Sequence, residues 1–151
     1  MKLYNYTLTA TCVCEDHPVE KAERPCQIVE IMKGAFDFAP EQESFWVILL
    51  NQKNIVKGRL MLTLGTQTAT LAHPREVLRA ALLANATAFI CVHNHPSGDP
   101  TPSCADVGVT RMIRAAASAC EVAFHDHVII GDPKADPTGK GYYSFREAGQ
   151  V

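Results

Sequence analysis

The sequence predicts an α/β (α+β) fold: one mixed β-sheet flanked by helices, in a single domain over residues 1–151. Three observations carry this. Apolar runs of strand length alternate with stretches of helical periodicity, as in layered sheet-and-helix domains. The chain is 47% hydrophobic and 20% charged, the balance of a folded globular protein rather than a disordered one. Its 151 residues suffice for one hydrophobic core.

Residues 3–13 alternate polar and apolar side chains and suit a strand, inside an N-terminal extension (1–24) whose pairing the sequence does not specify. Pro18 to Phe36 reads as helical, with Val29, Ile31 and Met32 on a short apolar face and Gly34 near its end. Phe36 to Gln42 reads as a loop. Phe45 to Leu50 is a continuous apolar run, expected of a strand covered on both faces. Asn51 to Asn54 forms a turn into a second strand, Ile55 to Leu64, closed by Gly65, so these two make a hairpin. Pro74 opens a helix to about Ala84, with Val77, Leu78, Ala81 and Leu82 along one face. Thr87 to Val92 is a short buried strand. Ser103 is an N-cap, and its helix runs to about Cys120. Val122 to Ile130 is a strand, Pro133 to Gly141 a polar loop, and Tyr142 to Phe145 a last edge strand.

Charge and targeting signals narrow the function classes. A net charge of -2 weighs against a strongly basic nucleic-acid surface. No apolar run approaches the roughly 18 residues that cross a membrane. The first residues lack the continuous apolar block of a signal peptide, so a cytoplasmic location is expected. In that setting the six cysteines are expected to be reduced. Cys12 and Cys14 form a C-x-C pair without a partner pair of zinc-finger spacing. Cys26, Cys91 and Cys120 sit in apolar segments and are expected to be buried free thiols.

The chemistry concentrates in His93-Asn94-His95-Pro96-Ser97-Gly98-Asp99-Pro100-Thr101-Pro102-Ser103-Cys104-Ala105-Asp106. Residues two apart in extended backbone point to the same side, so His93 and His95 can share one metal. The proline-rich loop delivers Asp106 from the first turn of the next helix, where a carboxylate suits the helix dipole. Two imidazoles and a carboxylate suit zinc, and three protein ligands leave a position open for water, as in catalytic sites. The same set accepts iron or manganese. Each part has a plainer reading. An H-x-H pair is often two surface histidines, and Ser103 with Asp106 also makes a Ser-x-x-Asp helix cap.

The whole pattern, H-x-H, seven residues, Ser, two residues, Asp, resembles the JAMM motif of the JAB/MPN metalloproteases. Within that family the chain resembles the RadC branch. The run from His93 to Ser103 carries the resemblance, with Gly65-Thr66, His73-Pro74-Arg75-Glu76-Val77, Asp126-His127-Val128-Ile129-Ile130-Gly131 and Tyr143-Ser144-Phe145-Arg146-Glu147, over roughly residues 25 to 148. The resemblance implies a JAB/MPN-like fold and one Zn2+ per chain on His93, His95 and Asp106. It implies a zinc-dependent hydrolase of peptide or isopeptide bonds, acting on a peptide or protein substrate. Glu43 would be the general base, matching the family's Glu-x-Phe as Glu43-Ser44-Phe45, with Glu41 as its rival. Ser103 would steady the oxyanion. Full-length RadC proteins resemble a fusion to an N-terminal helix-hairpin-helix segment, for which this chain has no room, so direct nucleic-acid binding is not expected. The alternative is a DNA-repair or mobile-element accessory factor that does not use its metal site for proteolysis.

Other candidates take structural readings. His125 and His127 form a second H-x-H, but no third ligand follows at a suitable spacing. Asp126 and His127 are expected to support the sheet near the site. Cys91 shares strand parity with His93 and is read as a core thiol. His73 is read as structural, His17 as exposed, and Arg111 and Arg114 as a solvated helix face.

Overall fold

The computed structural model describes residues 3, 9–11, 17–65 and 72–151. The strand expected over residues 3–13, the Cys12/Cys14 pair and Thr66 lie outside the described residues, apart from residues 3 and 9–11.

Five strands form one mixed sheet. They are β1 (Ser44–Leu50), β2 (Val56–Leu64), β3 (Ala88–Asn94), β4 (Ala123–Ile130) and β5 (Tyr142–Ser144), in the order β2-β1-β3-β4-β5. The β1/β2 hairpin and the β1/β3 and β4/β5 pairs are antiparallel, whereas β3 and β4 run parallel. Helix α3 (Cys104–Ala119) makes the crossover that a parallel pair requires. Helices α1 (Pro25–Ile31) and α2 (Pro74–Leu83) complete the layers. This is the expected α+β architecture of a mixed sheet flanked by helices.

The apolar run of β1 is explained by its two covered faces. Phe45, Val47 and Leu49 join Val77, Ala81, Phe89 and Ile113 in a core shared with α2 and α3. Ile48 and Leu50 join Ile28, Met32, Ile90 and Val92 in a second core beneath α1. Burying each such side chain contributes roughly 1.5–3 kcal/mol, so β1 is the spine of the domain.

Two boundaries and one strand register depart most from expectation. The helix expected over Pro18 to Phe36 is confined to Pro25–Ile31. Before it, Lys21 bridges Ile55, and the Ala22 N–H donates to the Asn54 carbonyl at 3.1 Å, so this stretch is held extended against the hairpin. Pro25 then starts the helix at its first position. Strand β3 continues past Val92, because His93 pairs with Phe45 and Ile129, and Asn94 with Ile130. In β4, a register shift places Phe124 opposite Phe89 but Asp126 opposite Ile90, so His125 is skipped. Cys91 is buried as expected, but Cys26, on α1, and Cys120, which caps the C-terminus of α3, are exposed. Among the described residues no helix is long and apolar enough to cross a membrane.

Candidate metal centre

Three expected ligands meet where β3 ends and α3 begins. His93 is fully buried on β3, His95 follows the strand, and Asp106 sits in the first turn of α3. One ligand atom from each lies within 4.8 Å of the other two, so the group could hold a metal ion. His93 Nε2 is 3.1 Å from His95 Nε2 and 3.2 Å from Asp106 Oδ1. His95 Nε2 is 3.6 Å from Asp106 Oδ2.

The surrounding backbone explains the convergence. The His95 N–H donates to the Ile130 carbonyl at 2.9 Å, which ties the end of β3 to β4. The loop then turns at Gly98, whose φ is +84°, a conformation glycine tolerates. The Gly98 carbonyl accepts from the Asp132 N–H at 2.7 Å, and a Cβ on Gly131 would stand 2.1 Å from that oxygen. Only glycine at 131 lets the two loops close. Ser103 caps α3 as expected. Its hydroxyl accepts from the Asp106 N–H at 3.2 Å and donates to Asp106 Oδ2 at 2.5 Å, while its own N–H donates to Oδ2 at 2.7 Å. The cap and the ligand are one residue pair.

The donor set fits a cation. His95 Nδ1 is 2.8 Å from the Asp99 carbonyl oxygen, which can only accept, so Nδ1 carries the proton and Nε2 presents a lone pair. That lone pair faces a second imidazole nitrogen and a carboxylate. Burial would lower the His95 pKa, but the adjacent Asp106 carboxylate, the Asp99 carbonyl and the Glu43 charge hold it above its ordinary value. Burial would raise Asp106, yet the adjacent His93 and His95 rings and the Ser103 hydroxyl hold its carboxyl far below the usual carboxylate range. The carboxylate is therefore charged, and positive charge is favoured among these atoms.

Glu43 immediately precedes β1, is half-buried, and is near enough for its charge to act on His95. Its carbonyl accepts from the Gly65 N–H at 2.8 Å. Glu41 is exposed in the preceding turn.

The remaining candidates separate cleanly. His127 is fully buried and its Nε2 lies 2.8 Å from His93 Nδ1, the supporting role expected of it. Burial, above all, pushes the His127 pKa well below its ordinary value. Asp126 anchors the sheet by accepting from the Ser144 hydroxyl at 2.6 Å and from the Arg146 and His127 N–H groups at 2.9 and 2.8 Å. His125 bonds Asn54 Oδ1 at 2.8 Å and contributes nothing to the metal group, because the β4 register shift breaks its parity with His127. Cys91 belongs to the α2/α3 core, where burial and the Asp126 charge push its thiol pKa far up. His73 caps α2, accepting from the Arg75 N–H at 3.2 Å; His17, Arg111 and Arg114 are exposed.

Two residues of the site were not singled out by their sequence pattern. Asn94 turns away from the ligands and holds Ser44 and Gln42 on either side of Glu43. Thr110, four residues beyond Asp106 on the same face of α3, reaches His127 Nδ1 at 2.6 Å. The four-residue spacing was the available signal for Thr110.

A family model for the RadC-like JAB domain matches residues 22–150. The chain belongs to this family. It is 45% identical over 111 residues to a UPF0758 protein of Thermotoga maritima, covering 74% of this chain and 47% of that protein. A UPF0758 protein of Chlorobium phaeovibrioides is 42% identical over 126 residues, covering 82% and 52%. One from Bacillus licheniformis is 44% identical over 110 residues, covering 73% and 46%. The chain thus spans about half the length of the curated relatives it matches.

Proposed function

We propose that this RadC-like JAB domain is a zinc-dependent hydrolase of peptide or isopeptide bonds, with a peptide or protein as substrate. The observation that carries the reading is the convergence of His93, His95 and Asp106 within 4.8 Å, with the Glu43 charge acting on the same group. Two imidazoles and a carboxylate are a zinc donor set that leaves room for a non-protein ligand. Zinc held there supplies a Lewis acid that polarises water and lowers its pKa towards neutrality.

Glu43 takes a proton from the attacking water as its oxygen bonds to the scissile carbonyl carbon. As the C–N bond breaks, Glu43 returns that proton to the leaving nitrogen, so water is added across the bond with no other reactant. The Ser103 hydroxyl is the candidate donor to the developing oxyanion. In the structure that proton is held by Asp106 Oδ2, so this role requires the hydroxyl to turn from its cap. A cleft of about 240 Å³ adjoins His95, lined by Phe36, Pro40, Asn94, Pro96, Ile130 and Asp132 among others, and offers a seat for a substrate chain.

The test is a peptide-library cleavage screen on the zinc-loaded protein, with and without chelator. Cleavage that chelator abolishes and Glu43→Gln reduces by two or more orders of magnitude is expected, the scale of a lost general base. Chelator-insensitive cleavage, or full activity in Glu43→Gln, contradicts the proposal.

A further inference from the structure

We propose that Thr110 and His127 are positioning residues that lock His93 into the one tautomer able to ligate a metal through Nε2. The proposal rests on the metal reading above and deepens it.

The partners along three hydrogen bonds fix where each proton sits. The Thr110 hydroxyl lies 2.6 Å from the backbone carbonyl oxygen of Asp106. A carbonyl cannot donate, so the single hydroxyl proton of Thr110 is spent there. The same oxygen lies 2.6 Å from His127 Nδ1. With its proton already given, Thr110 can only accept, so His127 Nδ1 carries a hydrogen. His127 is fully buried between the rings of Phe45 and Phe145, a setting that favours the uncharged imidazole with its one N–H at Nδ1 and a bare acceptor at Nε2. That acceptor lies 2.8 Å from His93 Nδ1, which must therefore be the donor. A neutral His93 protonated at Nδ1 presents its lone pair at Nε2. Nε2 is the atom 3.2 Å from Asp106 Oδ1 and 3.1 Å from His95 Nε2.

The relay starts at the backbone oxygen of Asp106 and runs through Thr110 and His127 to His93, whose Nε2 faces the Asp106 carboxylate across the proposed metal position. Packing holds the relay still: His127 stacks on Phe145 at 5.0 Å between centroids, and His93 stacks on Phe45 at 5.8 Å. Thr110, His93 and His127 are all buried, so water does not compete for these protons. The opposite His93 tautomer would place two bare nitrogens 2.8 Å apart at His127 and aim a proton at the metal position. A hydrogen bond behind a ligating histidine, fixing its tautomer and orientation, typically changes metal affinity 10–100-fold.

The test uses the whole chain, with Thr110→Val, which keeps the shape and removes the hydroxyl, and Thr110→Ser, which restores it. Zinc affinity is measured by competition with a chromophoric chelator. The His93 tautomer is read from ¹⁵N–¹H correlations of the metal-free protein at a pH where the imidazoles are neutral. The proposal expects an Nδ1–H His93 in the wild type, zinc affinity about 10–100-fold weaker in Thr110→Val, and recovery in Thr110→Ser. Wild-type affinity retained in Thr110→Val overturns the relay while leaving the metal reading intact. A wild-type His93 protonated at Nε2 overturns it as well, and decides the matter alone should Thr110→Val not fold. Failure of the wild type to bind zinc at all overturns the metal reading, and the affinity role with it.

Discussion

Asn94, the residue between His93 and His95, accepts the Ser44 backbone N–H at 2.8 Å. It also accepts the Ser44 hydroxyl at 3.1 Å and donates its amide to the Gln42 carbonyl at 3.0 Å. The side chain therefore grips the chain on both sides of Glu43. The end of β3 thus carries two of the candidate ligands, His93 and the following His95, and, from the residue between them, fixes the approach of the proposed base.

This grip gives the first prediction. Asn94→Ala strands a buried Ser44 N–H, at a cost of about 1–3 kcal/mol. It also loosens Glu43. If Glu43 is the base, turnover falls about ten- to a hundredfold through lost positioning, while zinc stoichiometry is unchanged. Metal analysis beside a cleavage assay checks the pair. Loss of zinc together with activity would place Asn94 with the ligands instead.

Ser103→Ala removes the cap of α3 and one hydrogen bond to Asp106 Oδ2. Metal-free protein should lose about 1 kcal/mol of stability by urea denaturation, the usual cost of a lost N-cap. An unchanged midpoint would show that the Ser103 cap does not hold the helix.

The pH dependence of metal-free stability should include a contribution from Asp136. Its carboxylate accepts from the Thr138 N–H at 2.8 Å and the Gly141 N–H at 2.7 Å, pinning the loop between β4 and β5. Burial opposes ionisation, but these hydrogen bonds hold the pKa below its ordinary value. A depressed folded pKa contributes stability that is present above the unfolded value near 4 and is lost as pH falls through the folded one. Asp136→Asn should therefore lower the urea midpoint at neutral pH and narrow its difference from wild type as pH falls below about 4. A constant difference across that range would contradict the assignment.

Thiol accessibility gives an independent check of packing. Cys26, Cys104 and Cys120 are exposed and Cys91 is buried, all as free thiols. Mass spectrometry after brief alkylation of native protein should show the first three modified and Cys91 intact until denaturant is added. Rapid native labelling of Cys91 would contradict the core around β3.

Much of this arrangement is legible in the sequence because local signals coincide with tertiary demands. The apolar run Phe45 to Leu50 announces a doubly covered strand, and the spacing from His93 to Asp106 brings the ligand set together in the fold. The shortfalls have physical causes. Helix α1 is short because its preceding residues pair with the hairpin at Ile55, a long-range contact with no local mark. Strand β3 continues through polar His93 and Asn94 because both pair with β1 or β4 and their side chains find buried hydrogen-bond partners in Ser44 and His127, long-range contacts with no local mark. His125 loses its parity through a register shift that alternation alone cannot show. Thr110 reads as an ordinary helical residue until β4 brings His127 against it.

We infer that His93, His95 and Asp106 together hold one zinc. Elemental analysis after zinc loading and exhaustive dialysis tests it most directly, on wild type, His95→Ala and Asp106→Ala, with circular dichroism to confirm that each remains folded. About one zinc per chain is expected in the wild type and little in either folded variant, since two remaining ligands hold zinc poorly. Full stoichiometry in both variants, or none in the wild type, would contradict it.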